Sequence, residues 1–132
     1  MSLDVVTLGE AMLLFVAEEP GALEQVQRFS KRTAGAETNV AIGLARLGLK
    51  VGSDSMARYL LAAIGGEGVD CSRVVCDPEQ RTGFMFKGRV DDGSDPPIEY
   101  HRKGSAASRL GPDEIDQAWI SGSGHLHVSG VF

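Results

Sequence analysis

The chain has 132 residues, 42% of them hydrophobic and 23% charged, the size and make-up of one modest globular domain, which excludes a disordered or fibrous chain. Its 13 Lys and Arg against 18 Asp and Glu give a formal net charge of -5, and the basic residues are dispersed, so it lacks the electrostatic footprint of a nucleic-acid binder. No basic stretch precedes an apolar core at the start, and no apolar run reaches membrane-spanning length, which predicts a cytoplasmic protein without a membrane partner.

Val5-Val6-Thr7-Leu8 is a β-branched run that meets Gly9-Glu10 and resumes over 11–16. This predicts two strands hinged at a glycine and ended by Glu18-Glu19-Pro20-Gly21. Val40, Leu44 and Leu47 recur at the spacing of one helix face, predicting a helix over 37–47 with Gly48 as its left-handed C-terminal residue. Met56, Leu60 and Ile64 form a second helical stripe, with Asp54 suited to cap its start and Gly65-Gly66-Glu67-Gly68 to end it. The glycine cluster closes a helix instead of opening one, which argues against a phosphate loop. Leu49-Lys50-Val51 begins a strand that runs at once into Gly52-Ser53-Asp54, and the shortness predicts a few residues missing there.

Two segments with period-two character, 82–90 and 98–103, flank the turn formers Asp91-Asp92-Gly93-Ser94-Asp95-Pro96-Pro97 and predict a β-hairpin. Pro112, Asp113 and Glu114 followed by Ile115 and Trp119 predict a short third helix, left through Ser121-Gly122-Ser123-Gly124. The segment 125–132 has strand character and suits a parallel sheet that needs helices on both faces. Nothing follows to supply them, so the chain reads as part of a larger α/β protein.

Cys71 and Cys76 have no second pair at metal-ligand spacing and are too few for a disulfide scaffold, so free thiols are expected. His125 and His127 share a strand face without a third ligand, and no metal is predicted. Gly35 and Asn39 frame the entry of the helix at 37–47, where unpaired backbone N–H groups could meet a polar ligand and Asn39 offers both a donor and an acceptor. The alternative is that Gly35 only turns the chain and Asn39 faces solvent. Along the hairpin, alternation sends Ile98, Tyr100 and Arg102 to one face and Glu99, His101 and Lys103 to the other. Tyr100 and Arg102 can then address one ligand, Arg102 through a carboxylate or phosphate. Arg102 can equally form an ion pair with an acid near Glu99 or in the Asp-rich turn.

Taken together, Val6-Thr7-Leu8-Gly9-Glu10-Ala11-Met12, Ala34-Gly35-Ala36-Glu37-Thr38-Asn39, Gly52-Ser53-Asp54, Tyr100-His101-Arg102-Lys103-Gly104 and His125-Leu126-His127-Val128-Ser129-Gly130 resemble the PfkB or ribokinase-like carbohydrate kinases. The likeness is greatest to the 2-keto-3-deoxygluconate kinases among them. The resemblance implies a ribokinase-like α/β parallel-sheet sandwich, here truncated, with a small β-sheet lid drawn from about 11–17 and 82–104 that often mediates homodimerisation. It implies that Gly35 and Asn39 hold a sugar, and that Tyr100 and Arg102 reach a sugar acid from the lid. It further implies ATP and Mg²⁺ as cofactors, bound mainly by a carboxyl-terminal half that this chain lacks, along with the aspartate base and the anion hole. Catalytic residues are therefore expected elsewhere, and the chain alone is expected to be inactive. Three residues depart from the family pattern: Ala34 and Ala57 stand for glycines, and Met85 stands where acid-sugar kinases often carry tyrosine. A ribose- or fructose-type kinase and a non-catalytic sugar-binding or dimerisation module are the rival readings.

Overall fold

A computed structural model describes residues 5–35 and 47–128. The helix expected over 37–47, and with it Asn39, lies almost wholly outside the described residues. Strands β1 (Val5–Gly9), β4 (Leu47–Gly52), β5 (Val75–Asp77) and β8 (His125–Val128) form one parallel sheet in the order β5-β4-β1-β8. Strands β2 (Met12–Ala17), β3 (Phe29–Ala34), β6 (Phe84–Lys87) and β7 (Ile98–His101) form a second, mixed sheet in the order β3-β2-β6-β7. The Gly9-Glu10 hinge therefore hands the chain from one sheet to the other, because β1 and β2 belong to different sheets.

Helix α1 (Ser55–Gly66) connects β4 to β5, as a parallel pair requires of its crossover. Asp54 caps it by accepting a 2.9 Å hydrogen bond from the Ala57 N–H. Ala57, Leu60 and Ile64 lie three and four residues apart, so they fall on one face, and that face packs on Leu49 and Val51 of β4 and on Val69. Burial of Leu60 and Ile64 contributes about 1.5–3 kcal/mol per side chain. The helix is also tied to the second sheet, since the Tyr59 hydroxyl donates to the Lys31 carbonyl at 3.0 Å and the Lys31 ammonium sits 4.8 Å from the centre of the Tyr59 ring.

Several expectations are corrected here. Leu47 and Gly48 belong to β4 and not to a preceding helix. Gly48 is in the sheet interior, where a β-carbon would come 2.6 Å from Leu8 Cδ2 and 3.2 Å from the Trp119 ring. Strand β4 extends over Leu47–Gly52, pairing with β1 at Thr7↔Leu47 and with β5 at Val51↔Cys76. Strand β3 and strand β5 carry too few apolar residues to announce themselves and exist through pairing with β2 and β4. The third helix is broken: Pro112–Glu114 is a 3-10 turn, and α2 (Gln117–Ser121) starts afresh after Asp116, whose carboxylate accepts from the Trp119 N–H at 3.1 Å. The hairpin stands, with β6 and β7 antiparallel and Met85 opposite Tyr100.

Candidate functional site

Three crossings between the sheets meet beside the carboxyl end of β1, and each is stitched to another. The first is Glu10, which is 4% exposed although it is an acid. Its Oε1 lies 3.0 Å from Arg102 Nη2, and its Oε2 accepts from the Ser105 hydroxyl at 3.1 Å. The second is Thr82, whose hydroxyl accepts from the Gly52 N–H at 2.9 Å and donates to Asp54 Oδ1 at 2.8 Å, while its own N–H donates to Asp54 Oδ2 at 3.0 Å. The third, at Ala106, donates its N–H to the Arg81 carbonyl at 2.8 Å. Burial pushes the Asp54 carboxyl up, but the N–H groups of Thr82 and Ala57 and the Thr82 hydroxyl outweigh it and hold the group below its ordinary value.

The register of the second sheet sorts its side chains between two faces. Met12, Ala34, Met85 and Tyr100 fall on one; Phe15, Phe29, Phe84 and Phe86 fall on the other with His101. The first face walls a cavity of about 210 Å³ lined by Glu10, Met12, Ala34, Gly35, Met85, Tyr100 and Arg102. This is the scale of a single sugar, well under the roughly 300–1,000 Å³ of drug-sized pockets. Gly35, Tyr100 and Arg102 thus come together from β3, β7 and the segments beyond them, while Asn39 lies outside the described residues. Gly35 has φ +134°, a conformation that side chains oppose, so its backbone faces the cavity uncovered. Met85, only 7% exposed, is the cross-strand neighbour of Tyr100 on this face and makes the wall beside it apolar.

Arg102 is ion-paired, but with Glu10 from the hinge and not with an acid near Glu99 or in the turn; Asp91 and Asp92 instead bond Arg89 and Ser94. Arg102 also borders two neighbouring cavities, one with Arg81, His101 and Lys103 and another with Leu8, Gly9 and Val128. A guanidinium carries five N–H donors in a rigid fork, so a pair on one nitrogen leaves it able to address a ligand with others. Reasoning from sequence missed Glu10, Thr82 and Ser105. The available signal was an acid directly after the first strand, where ligands of parallel α/β sheets bind.

A second charged group lies elsewhere on the parallel sheet. Lys50 Nζ is 2.9 Å from Glu114 Oε1 and 3.5 Å from Asp77 Oδ2 and donates to the Arg109 carbonyl at 3.4 Å. It clamps the 109–114 connector onto β4 and β5 and takes no part in the cavity.

The chain is thus an α/β protein with a parallel sheet, a small mixed sheet reached through the hinge at the carboxyl end of β1, and a cavity of single-sugar size on the face of the mixed sheet that carries Met85 and Tyr100, the architecture in which small-molecule sites gather at strand carboxyl ends. The chain belongs to the pfkB family of carbohydrate kinases, whose model matches residues 2–132. The 2-dehydro-3-deoxygluconokinase of Bacillus subtilis (strain 168) is 47% identical over 99% of this chain, which spans 42% of that relative's length. The crystal structure of a PfkB protein from Polaromonas sp. JS666 is 59% identical with a TM-score of 0.93, covering 99% of this chain and 46% of that one. An uncharacterized sugar kinase from Pyrococcus horikoshii, solved in complex with ATP, is 27% identical with a TM-score of 0.79, covering 88% of this chain and 39% of that one. The fold is the ribokinase-like α/β arrangement of these structures. No helix among the described residues is long and apolar enough to cross a membrane.

Proposed function

We propose that this chain is the sugar-binding portion of a cytoplasmic kinase that transfers the γ-phosphoryl of ATP to 2-keto-3-deoxygluconate. The observation that carries the reading is the meeting of Gly35, Tyr100 and Arg102 on one sugar-sized cavity. Gly35 forms the floor, and the second sheet acts as a lid that brings Tyr100 and Arg102 down on the sugar acid; Asn39, the other proposed sugar contact, lies outside the described residues. Tyr100 supplies an apolar wall with a hydroxyl tip, and Arg102 meets the carboxylate with donors not turned to Glu10.

ATP and Mg²⁺ are the cofactors of such a reaction. The part we assign to the described residues is to bind and orient the sugar, through Gly35, Tyr100 and Arg102. Contacts from several sides of the 210 Å³ cavity would hold the sugar in one orientation for transfer.

A ribose- or fructose-type substrate is the second reading, favoured by two observations: the Arg102 charge is already matched by Glu10, and Met85 is an apolar wall. The test is a phosphorylation assay of the complete protein on a panel of 2-keto-3-deoxygluconate, ribose and fructose, with the 132-residue chain alone as a parallel sample. Turnover of the acid sugar by the complete protein, and none by the chain alone, is the expected result. Preference for a neutral sugar overturns the substrate assignment, and turnover by the chain alone overturns its assignment as the sugar-binding portion only.

The same reading includes a homodimer formed through the lid. It draws support from the half-buried aromatic face of Phe15, Phe29 and Phe86, in which Phe15 and Phe86 stack with centroids 5.2 Å apart and Phe29 meets Phe86 edge-on at 5.4 Å. Sedimentation of the complete protein tests it, and a monomer at all concentrations rules it out.

A further inference from the structure

We infer that Glu10 is a positioning residue for sugar recognition: together with Ser105 it fixes the Arg102 guanidinium at the cavity, and the inference rests on the reading of Arg102 as a sugar contact. A carboxylate taken out of water is costly unless it is paired and hydrogen-bonded. Glu10 is 4% exposed, and each of its oxygens has a partner on the far side of the crossing, Arg102 Nη2 at 3.0 Å for one and the Ser105 hydroxyl at 3.1 Å for the other.

The sequence keeps room for this arrangement. A β-carbon on Gly83 would come 2.8 Å from Glu10 Oε2 and 3.4 Å from Arg102 Cβ, so any larger residue there would displace the carboxylate. Ser105 is itself 4% exposed and donates its N–H to the Arg102 carbonyl at 3.0 Å. The backbone after β7 therefore turns so that Arg102 and Ser105 both face Glu10.

The Arg102 side chain is 26% exposed, so one end of the guanidinium is held and the other reaches the cavity. A free arginine samples many rotamers, and each must be given up on binding. Glu10 fixes the rotamer before the sugar arrives, at the point where the chain leaves β1 for the second sheet. The same contact ties the second sheet's last strand to the hinge of its first, so the two sugar contacts Tyr100 and Arg102 keep a fixed place at the cavity they share with Gly35.

The experiment is a double-mutant cycle on the complete protein with Glu10→Gln, Arg102→Ala and the pair combined, reading KM and kcat for 2-keto-3-deoxygluconate. Glu10→Gln is expected to raise KM about tenfold with kcat within about threefold, and to add less than about twofold once Arg102 is alanine. An equal rise in both backgrounds overturns the inference. If Glu10→Gln does not fold, Ser105→Ala removes the second anchor of the same carboxylate and takes its place in the cycle, with the same two outcomes.

A second readout needs no sugar. The rate of phenylglyoxal modification at Arg102, followed by peptide mass spectrometry with exposed Arg81 and Arg109 as references, should rise about threefold or more when Glu10 is glutamine, because the ion pair shields the guanidinium. An unchanged rate overturns the positioning role. A raised rate in a protein that ignores the acid sugar leaves Glu10 holding Arg102 and removes the substrate assignment instead.

Discussion

The Thr82 hydroxyl donates a 2.8 Å hydrogen bond to Asp54 Oδ1, so the residue that caps α1 also fastens the strand arriving at the second sheet. Asp54→Ala removes the cap and leaves the buried Thr82 without its acceptor. Thermal or denaturant unfolding should show a loss of about 2–4 kcal/mol. Thr82→Val, which keeps the shape, should cost about 1–2 kcal/mol. A smaller loss for Asp54→Ala than for Thr82→Val would contradict the dual role.

Acid should weaken the same junction. The Asp54 carboxyl is held below its ordinary value, so its contribution is fully present above the unfolded-state pKa and disappears as pH falls through the lower folded value. The stability of the wild type should therefore drop below about pH 4 more steeply than that of Asp54→Asn. Parallel pH profiles of the two would show that the capping carboxylate has no share in the acid limb.

Gly52 has no space for a side chain: a β-carbon would meet the Gln80 carbonyl oxygen and lie 2.9 Å from the Thr82 nitrogen. Both are backbone atoms that cannot swing aside. Gly52→Ala should cost about 1–3 kcal/mol, by forced displacement of the 80–82 segment. The melting temperature of that variant, set against the harmless exposed change Gly66→Ala, measures it.

Lys50 holds two carboxylates at once. Its hydrogen bond to Glu114 raises the Lys50 ammonium despite burial and lowers Glu114, while Asp77 is lowered first by the Glu79 N–H and then by Lys50. The raised lysine contributes stability that is complete below its unfolded pKa and lost as pH climbs through the folded one. The lowered acids contribute above their unfolded pKa values and lose it as pH falls through their folded ones. The cluster therefore supports the fold across neutral pH and fails at both extremes. Lys50→Met should destabilise more than loss of the exposed Arg89–Asp91 pair, because two acids are left facing each other. Unfolding of Lys50→Met and Arg89→Met side by side decides this.

At the cavity, Arg102→Ala in the complete protein should weaken binding of an acid sugar by about 10–100-fold and of a neutral sugar much less, because only the acid leaves a charge unmatched. Isothermal titration with both sugars, after a melting curve shows that Glu10 tolerates its missing partner, gives the comparison. Equal losses contradict the carboxylate contact.

Local patterning was enough to read α1, since Asp54, the Leu60–Ile64 stripe and the closing glycines are signals within a dozen residues of one another. It was enough for the hairpin as well, where alternation put Tyr100 and His101 on opposite faces, and for the hinge at Gly9. It failed for β3 and β5, whose residues are strand only because β2 and β4 offer them hydrogen-bond partners, and for the helix after Pro112, where Asp116 outcompetes a continuous turn. The family likeness, spread over the whole chain, was legible because short motifs recur in fixed order even where single residues such as Ala34, Ala57 and Met85 differ.

What the sequence determined by itself was an α/β chain whose Gly35, Tyr100 and Arg102 are apt for a polar ligand, because backbone freedom, aromatic character and charge belong to the residue wherever it is placed. Only the tertiary structure decided that these three share one cavity and that the partner of Arg102 is Glu10, 92 positions away in the chain. Ion pairing depends on distance in space and on exclusion of water, and both are settled by how the segments that cross between the two sheets meet.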